Sequence, residues 1–160
     1  MDAVWRRLLE RAGPRPGIPM TEDPDLHLVV DSVRLDAVLR QGAAHRFRLA
    51  AKPTSVHVVS RAGVPMELGT ARDPRVLGVA LRRIEIRRGP RLRIMEAADP
   101  ALADGFHVFE PDDNLRWTNG DAGLPAALFD GLDGPAELIL HVGATSHYPL
   151  FSDPIEEVAA

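Results

Sequence analysis

The sequence contains no cysteine, and this absence excludes disulfide bonds, thiol nucleophiles and cysteine-ligated metal centres. Lysine is almost missing as well, because Lys52 is the only one and arginine provides the other basic side chains. We attribute this arginine bias to genome composition more than to function. The net charge of −4 gives no strong attraction to nucleic acid or to an anionic membrane.

Long hydrophobic runs are also missing. No stretch of the sequence reaches the roughly 18 apolar residues that a membrane helix requires, so we expect no membrane partner. The N-terminus has no signal-peptide pattern, because Trp5, Arg6 and Arg7 stand where an apolar run would have to be. The compartment stays unknown, with the cytoplasm as the default expectation.

The common catalytic motifs are absent too. The chain has no G-x-S-x-G nucleophile elbow, no P-loop and no G-x-G-x-x-G motif. Asp112 and Asp113 are adjacent carboxylates, but a glycosidase needs two acids that face each other across a substrate. These absences favour a protein without catalytic activity.

The 160 residues that are present, 45% of them hydrophobic, suffice for one compact domain with a core. Residues 2–12 are predicted to form a helix, because apolar side chains recur there at four-residue spacing. We expect three segments: an N-terminal helix and proline-rich arm over 1–24, a β-sandwich domain over 25–150, and a C-terminal tail over 151–160.

From Leu26 onward the hydrophobic period changes to two. Short alternating runs such as LHLVV, HRFRL, SVHVVS and VLGVAL are separated by turn residues, a pattern typical of antiparallel sandwiches and barrels. The alternation shifts by one residue at Arg82-Arg83, which predicts a β-bulge. The fold class that we expect is all-β, an antiparallel β-sandwich of jelly-roll type with a short N-terminal helix.

The stretch LRWTNGDAGLP holds one of the two tryptophans. Its Asn119-Gly120 pair predicts a type I′ hairpin, which would place Trp117 in the core opposite a small alanine. The alternative is an exposed Trp117 that stacks on a sugar ring or a base. The hairpin would have an apolar face of Leu115, Trp117, Ala122 and Leu124, and a polar face of Arg116, Thr118 and Asp121.

The preceding segment, GFHVFEPDDN, is rich in potential metal ligands. Clustered oxygen ligands can bind Ca²⁺, but no EF-hand spacing is present, and the acids after Pro111 also suit a solvated turn. His107 and Glu110 could instead form a histidine–carboxylate metal site. A cupin-type centre would need two histidines one residue apart, which this segment lacks.

The run RRIEIRRGPRLR places six arginines in one predicted hairpin. A nucleic-acid interface is one interpretation. However, Ile84, Ile86, Leu92 and Ile94 alternate with the arginines, as in a strand with one solvated face, and few aromatics interleave for base stacking. We therefore do not expect nucleic acid; an anionic sugar or a polyphosphate is equally compatible with this face.

Several of these segments together resemble a known family. They are SRAGVPMELG, DPRVLGVALRRIEI, ALADGFHVFEPDDNLRWTNGDAGLP and AELILHV. The resemblance is to a β-sandwich domain of bacterial, mainly proteobacterial, multidomain proteins, found beside Hint (hedgehog/intein-like) and glycosyltransferase domains. The matching positions are Arg75, Leu77, Gly78, Gly105, Phe106, Glu110, Arg116, Trp117, Thr118, Gly120, Ala122, Leu124 and Pro125.

The resemblance covers about the last two-thirds of the chain and implies a sandwich fold and an accessory role. Asn119 stands where the family usually has aspartate, which keeps the turn chemistry but removes one charge. The neighbouring domains of the family imply a role in carbohydrate handling, an implication by analogy alone.

The function that the sequence favours is a non-catalytic binding or accessory module for carbohydrate. Arginine would bind hydroxyls or a carboxylate through its planar guanidinium. Two alternatives stay open: a metal-assisted hydrolase or isomerase that uses His107 and Glu110, and an oligomerisation or partner-docking domain. The candidate ligand-binding residues are His107, Glu110, Arg116, Trp117, Thr118 and Asp121.

Overall fold

The computed structural model describes residues 18–150. The helix expected at 2–12 and the tail expected at 151–160 lie outside these residues. Antiparallel strands are the main secondary structure of the described chain, with one short helix α1 (Pro65–Leu68) and a 3₁₀ turn at Ala126–Phe129. The strands are β1 Met20–Thr21, β2 His27–Val30, β3 Val33–Leu35, β4 Leu39–Gln41, β5 Ala44–Leu49, β6 Val56–Val59, β7 Ala80–Arg88, β8 Arg91–Glu96, β9 Arg116–Trp117, β10 Asp121–Gly123, β11 Ala136–Ala144 and β12 Tyr148–Pro149.

Two sheets form the body of the domain. The small sheet has the strand order β10-β6-β2-β3, and the large sheet has the order β4-β5-β11-β7-β8, with β9 paired to the beginning of β7. The chain crosses repeatedly from one sheet to the other, and β1 and β12 form a separate two-stranded ribbon. The predicted all-β antiparallel sandwich is confirmed.

The core lies between the two sheets, as the two-residue hydrophobic period predicts. Leu28 and Val58 of the small sheet belong to the same buried cluster as Phe47, Ile84 and Leu138 of the large sheet. Each of these side chains is at most 1% exposed. The alternating runs therefore fold as strands because every second side chain leaves water for this shared core.

The predicted β-bulge is present in β7. His141 of β11 lies opposite Arg83, whereas the next residue, Val142, lies opposite Leu81. Arg82 is thus the extra residue, and its Nη1 donates to the carbonyl of Asp113 at 2.9 Å.

The predicted hairpin at Asn119-Gly120 is wrong. Trp117 pairs with Ala80 in the large sheet, while Asp121 pairs with Val59 in the small sheet. The Asn-Gly pair therefore links two sheets, and only its glycine has a positive φ, at 102°.

The role of Gly120 explains why a local turn pattern misled. A Cβ at this position would lie 2.8 Å from the Cβ of Ala62, so glycine permits the link to pass close to the end of β6. The main-chain amide of Ser60 donates to the carbonyl of Gly120 at 2.9 Å. Tertiary pairing with β6 and β7 thus replaces the local pairing that the sequence suggested.

Candidate functional site

Thr118 is not available to a ligand. Its side chain is fully buried, and its Oγ1 accepts hydrogen bonds from the main-chain amides of Val79 at 3.2 Å and Gly120 at 3.4 Å. The prediction that Thr118 lies on an exposed polar face is wrong, because that face depended on the absent hairpin.

The guanidinium of Arg116 also forms its hydrogen bonds within the protein. Its Nε donates to the carbonyl of Ala97 at 2.7 Å, and its Nη1 donates to the carbonyl of Leu102 at 2.6 Å. The guanidinium lies over the ring of Phe109, 5.9 Å from the ring centre. Arg116 therefore holds the 97–102 loop against β9, and the polar face that it was predicted to share with Asp121 does not form.

Asp121 has a different partner. Its carboxylate lies 2.7 Å from Nδ1 of His57 on the neighbouring strand β6. The side chains of both residues stay solvent-accessible, 68% for Asp121 and 40% for His57. A shallow groove of about 270 Å³ is lined by His57 together with Asp104 and Gly123. Of the predicted binding residues, Asp121 is the one that stands openly at the surface.

His107 and Glu110 come together with two residues of the 73–75 loop, and we call the four, Asp73, Arg75, His107 and Glu110, the Arg75 cluster. Arg75 donates to Asp73 through Nη2 at 2.7 Å and Nε at 3.0 Å. Its Nη2 also lies 3.5 Å from Oε1 of Glu110. Nε2 of His107 donates to the carbonyl of Val76 at 2.6 Å, which fixes the ring.

The electrostatics of the Arg75 cluster are those of an internal ion pair. Hydrogen bonding from Arg75 is the main cause that lowers the pKa of Asp73 below its ordinary value of 3.8. The same hydrogen bond raises the pKa of Arg75. The charges of Asp73 and Arg75 neutralise one another, whereas Glu110 adds a second carboxylate, whose buried Oε2 has no hydrogen-bond partner in the described chain.

Trp117 is half-buried beside β7 and does not belong to the hydrophobic cluster between the sheets. Its position therefore matches neither the core placement that the hairpin predicted nor a freely exposed stacking platform. Strand β9 carries it next to the 106–110 segment, where the amide of His107 donates to the carbonyl of Trp117 at 2.8 Å.

No group of three or more His, Asp or Glu residues within 18–150 is arranged to hold a metal ion. Asp112 and Asp113, which suggested calcium, are both exposed. Over the same part of the chain, no helix has the length and apolarity needed to cross a membrane.

The most distinctive surface lies where β7 turns into β8, and we call it the arginine end: Arg48, Arg87, Arg88, Arg91 and Arg93. Two grooves meet there. One, of about 310 Å³, is lined by Arg88, Arg91 and Arg93. The other, of about 360 Å³, is lined by Arg48, Arg87 and Arg88. Arg88 thus borders both grooves.

Three residues of the arginine end already have partners. Arg93 donates to the carbonyls of Ala127 at 3.1 Å and Leu128 at 2.9 Å. Arg88 forms an ion pair with Asp133. Arg87 lies 3.3 Å from the buried carboxylate of Glu85.

Arg48 and Arg91 differ from these three. Both are exposed, and the side chain of neither forms a hydrogen bond or an ion pair with another residue in the 18–150 range. Two guanidinium groups without a partner in the described chain therefore line the grooves, Arg91 in the first and Arg48 in the second.

The register of β7 and β8 explains why the sequence did not resolve this arrangement. The turn at Gly89-Pro90 puts Arg88 opposite Arg91, so Ile86 lies opposite Arg93 and not opposite an apolar residue. Even-numbered positions of β7 thus share a face with odd-numbered positions of β8. Because the length of a hairpin turn fixes the register of its strands, the turn at Gly89-Pro90 was the signal that could have shown which of the six arginines lie on each face of the sheet.

Comparisons with family models, characterised proteins and solved structures find no match for this chain. The resemblance to the Hint-associated β-sandwich domain therefore stays a prediction.

Proposed function

We propose that this protein is a non-catalytic binding module for an anionic carbohydrate, such as a uronate or a sulfated sugar, and that the arginine end holds the ligand. The observation that carries the proposal is the pair of unpartnered guanidinium groups, Arg48 and Arg91, beside the two grooves that meet at Arg88. A guanidinium without a partner keeps its full capacity for bidentate binding to a carboxylate or a sulfate.

The charge of the grooves supports an anionic ligand. Five arginines line them, against two carboxylates, Asp130 and Glu137. No aromatic residue lines either groove, so stacking does not contribute, and charged hydrogen bonds would carry the affinity. Such binding weakens as the salt concentration rises, because dissolved ions screen exposed charges.

The size of the grooves and the placement of their acids support binding of a small polar ligand without catalysis. Grooves of about 310 and 360 Å³ fall at the lower end of the range for small-molecule sites. Asp130 and Glu137 line different grooves, so they do not flank one bond as a glycosidase pair would. The family resemblance adds the suggestion that the ligand is a carbohydrate.

The proposal is tested by binding of the full chain to an array of neutral, uronate-containing and sulfated oligosaccharides at low and high salt. We expect binding to the acidic members only, with a loss of affinity of at least about tenfold in an Arg48→Gln/Arg91→Gln variant, the effect of losing roughly 1.4 kcal/mol. Arg40→Gln is the matched control, because Arg40 is also exposed and lacks a partner in the described chain but lies on β4, away from the grooves.

Two outcomes would overturn the assignment. A preference for neutral sugars, or unchanged affinity in the double variant, would remove the arginine end as the site. Loss of binding in Asp121→Asn with the double variant unaffected would move the site to the groove beside His57 and Asp121.

A further inference from the structure

The four outer strands of the two sheets differ in how well their edges are protected. β3, β4 and β10 each have three residues. The edge of β10 is already engaged, because the amide of Gly123 donates to the carbonyl of Asp104 at 3.0 Å. β8 has six residues and is the longest edge of the described sheets. Edges of this length recruit another strand unless they are blocked.

One hydrogen bond shows which main-chain groups of β8 bond to β7 and which point away from it. The amide of Ala97 donates to the carbonyl of Arg82 at 3.0 Å, so bonded pairs recur at every second residue toward the turn. The amides and carbonyls of Leu92 and Ile94 then point away from β7. No residue in the described part of the chain bonds to them.

The side chains of this edge favour pairing. Leu92 is 52% exposed and Ile94 is 45% exposed, both on the face of the sheet opposite the core. Charged side chains on an edge usually prevent association. Arg93, the central charge of β8, is instead turned toward the 3₁₀ turn, where it donates to the carbonyls of Ala127 and Leu128.

We infer that β8 pairs antiparallel with β8 of a second copy of this chain, with the twofold axis at Arg93. This register places Leu92 opposite Ile94 of the second copy, and Ile94 opposite its Leu92. Both pairs consist of residues whose main-chain groups point outward, so each pair can exchange two hydrogen bonds. A twofold axis requires such a self-complementary contact.

A register with its axis at Ile94 leaves more main-chain groups of the edge unpaired. An axis at Ile94 would place Leu92 opposite Glu96, whose carbonyl already accepts from the amide of Asp99 at 3.0 Å. The axis at Arg93 brings two arginines opposite each other, but each guanidinium is held by carbonyls of its own chain. The inference is argued from the strand edge and does not require the proposed carbohydrate ligand, but the two share residues, because Arg91, Leu92 and Arg93 of β8 also line one of the two grooves.

Sedimentation or light scattering of the full chain over a range of concentrations tests the inference. We expect a monomer–dimer equilibrium in the wild type and a monomer in Ile94→Lys. Leu39→Lys is the matched control, because Leu39 is 46% exposed on the opposite edge strand β4 and should leave the dimer intact. Circular dichroism of each variant verifies that the fold is retained.

The absence of cysteine allows the register to be tested directly. A mixture of Leu92→Cys and Ile94→Cys chains should form a disulfide on mild oxidation, because directly opposite residues have suitable Cα spacing. Leu92→Cys alone should cross-link poorly, since two copies of residue 92 would lie roughly 8–9 Å apart, which is too far for a disulfide. A wild type that stays monomeric at every concentration, or a dimer that survives Ile94→Lys, would overturn the inference.

Discussion

Two regions of this molecule contain exposed or half-exposed arginines, and they differ in what those arginines bind. In the Arg75 cluster, Arg75 spans Asp73 and Glu110, and nearby Arg116 is held by two main-chain carbonyls. At the arginine end, Arg48 and Arg91 have no such partners. The first region uses its polar groups to hold loops in place, whereas the second leaves charge available for a ligand.

This difference predicts opposite effects of substitution. Removing a satisfied side chain leaves its former partner buried without a hydrogen bond and lowers stability. Removing an unsatisfied surface side chain leaves stability unchanged and lowers only ligand binding.

Arg116→Ala should have the largest effect on stability. The carbonyls of Ala97 and Leu102 would each lose a charged donor, and we expect the free energy of unfolding to fall by about 2–3 kcal/mol. Urea denaturation measures this loss, with Arg40→Ala as the control that should change little. A loss below about 0.5 kcal/mol, the scale of ordinary surface substitutions, would show that Arg116 is not a structural link.

Thr118→Val should have the next largest effect. Valine has nearly the shape of threonine but offers no acceptor to the amides of Val79 and Gly120, so we expect a loss of about 1–2 kcal/mol. Thr118→Ser keeps the hydroxyl and should lose less of the unfolding free energy than Thr118→Val. The reverse order would assign the role of this residue to its methyl group.

The Arg75 cluster should make stability depend on pH. The folded-state pKa of Asp73 is lowered by Arg75, so the ion pair stabilises the fold above the ordinary pKa of 3.8. This contribution, about 1 kcal/mol or less for a partly exposed pair, is lost as pH falls below that value through the folded-state pKa. Denaturation across this pH range should show a flatter curve for Arg75→Gln than for wild type; equal slopes would contradict the assignment.

The smallest stability effect is expected at the arginine end. Arg48→Gln/Arg91→Gln should unfold within about 0.5 kcal/mol of wild type, because neither guanidinium has a partner to lose. A larger loss would mean that these residues hold the structure together and would remove the distinction between the two regions.

The sequence predicted the strands well where one face of a strand enters the core. The alternation in β5 and β6 reflects burial of Phe47, Val56 and Val58, and the shift at Arg82 marked a real bulge. Such patterns are readable because burial acts on each strand separately.

The candidate site was less predictable because it depends on pairing between distant strands. Asn119-Gly120 has the composition of a hairpin, yet Trp117 and Asp121 pair with strands of different sheets. The predicted polar face therefore does not form, because Thr118 is buried and Asp121 is exposed. Even-numbered residues of β7 likewise share a face with odd-numbered residues of β8. Leu92 and Ile94 are therefore exposed, although the sequence placed them with the apolar positions of β7.

The most direct test of the account follows the arginine Nε–H resonances by NMR during titration with a uronate oligosaccharide. We expect the signals of Arg48, Arg88 and Arg91 to shift with ligand concentration, while those of Arg75 and Arg116 do not move. Shifts confined to Arg75 and Arg116, or no shift in any arginine at saturating ligand, would contradict it.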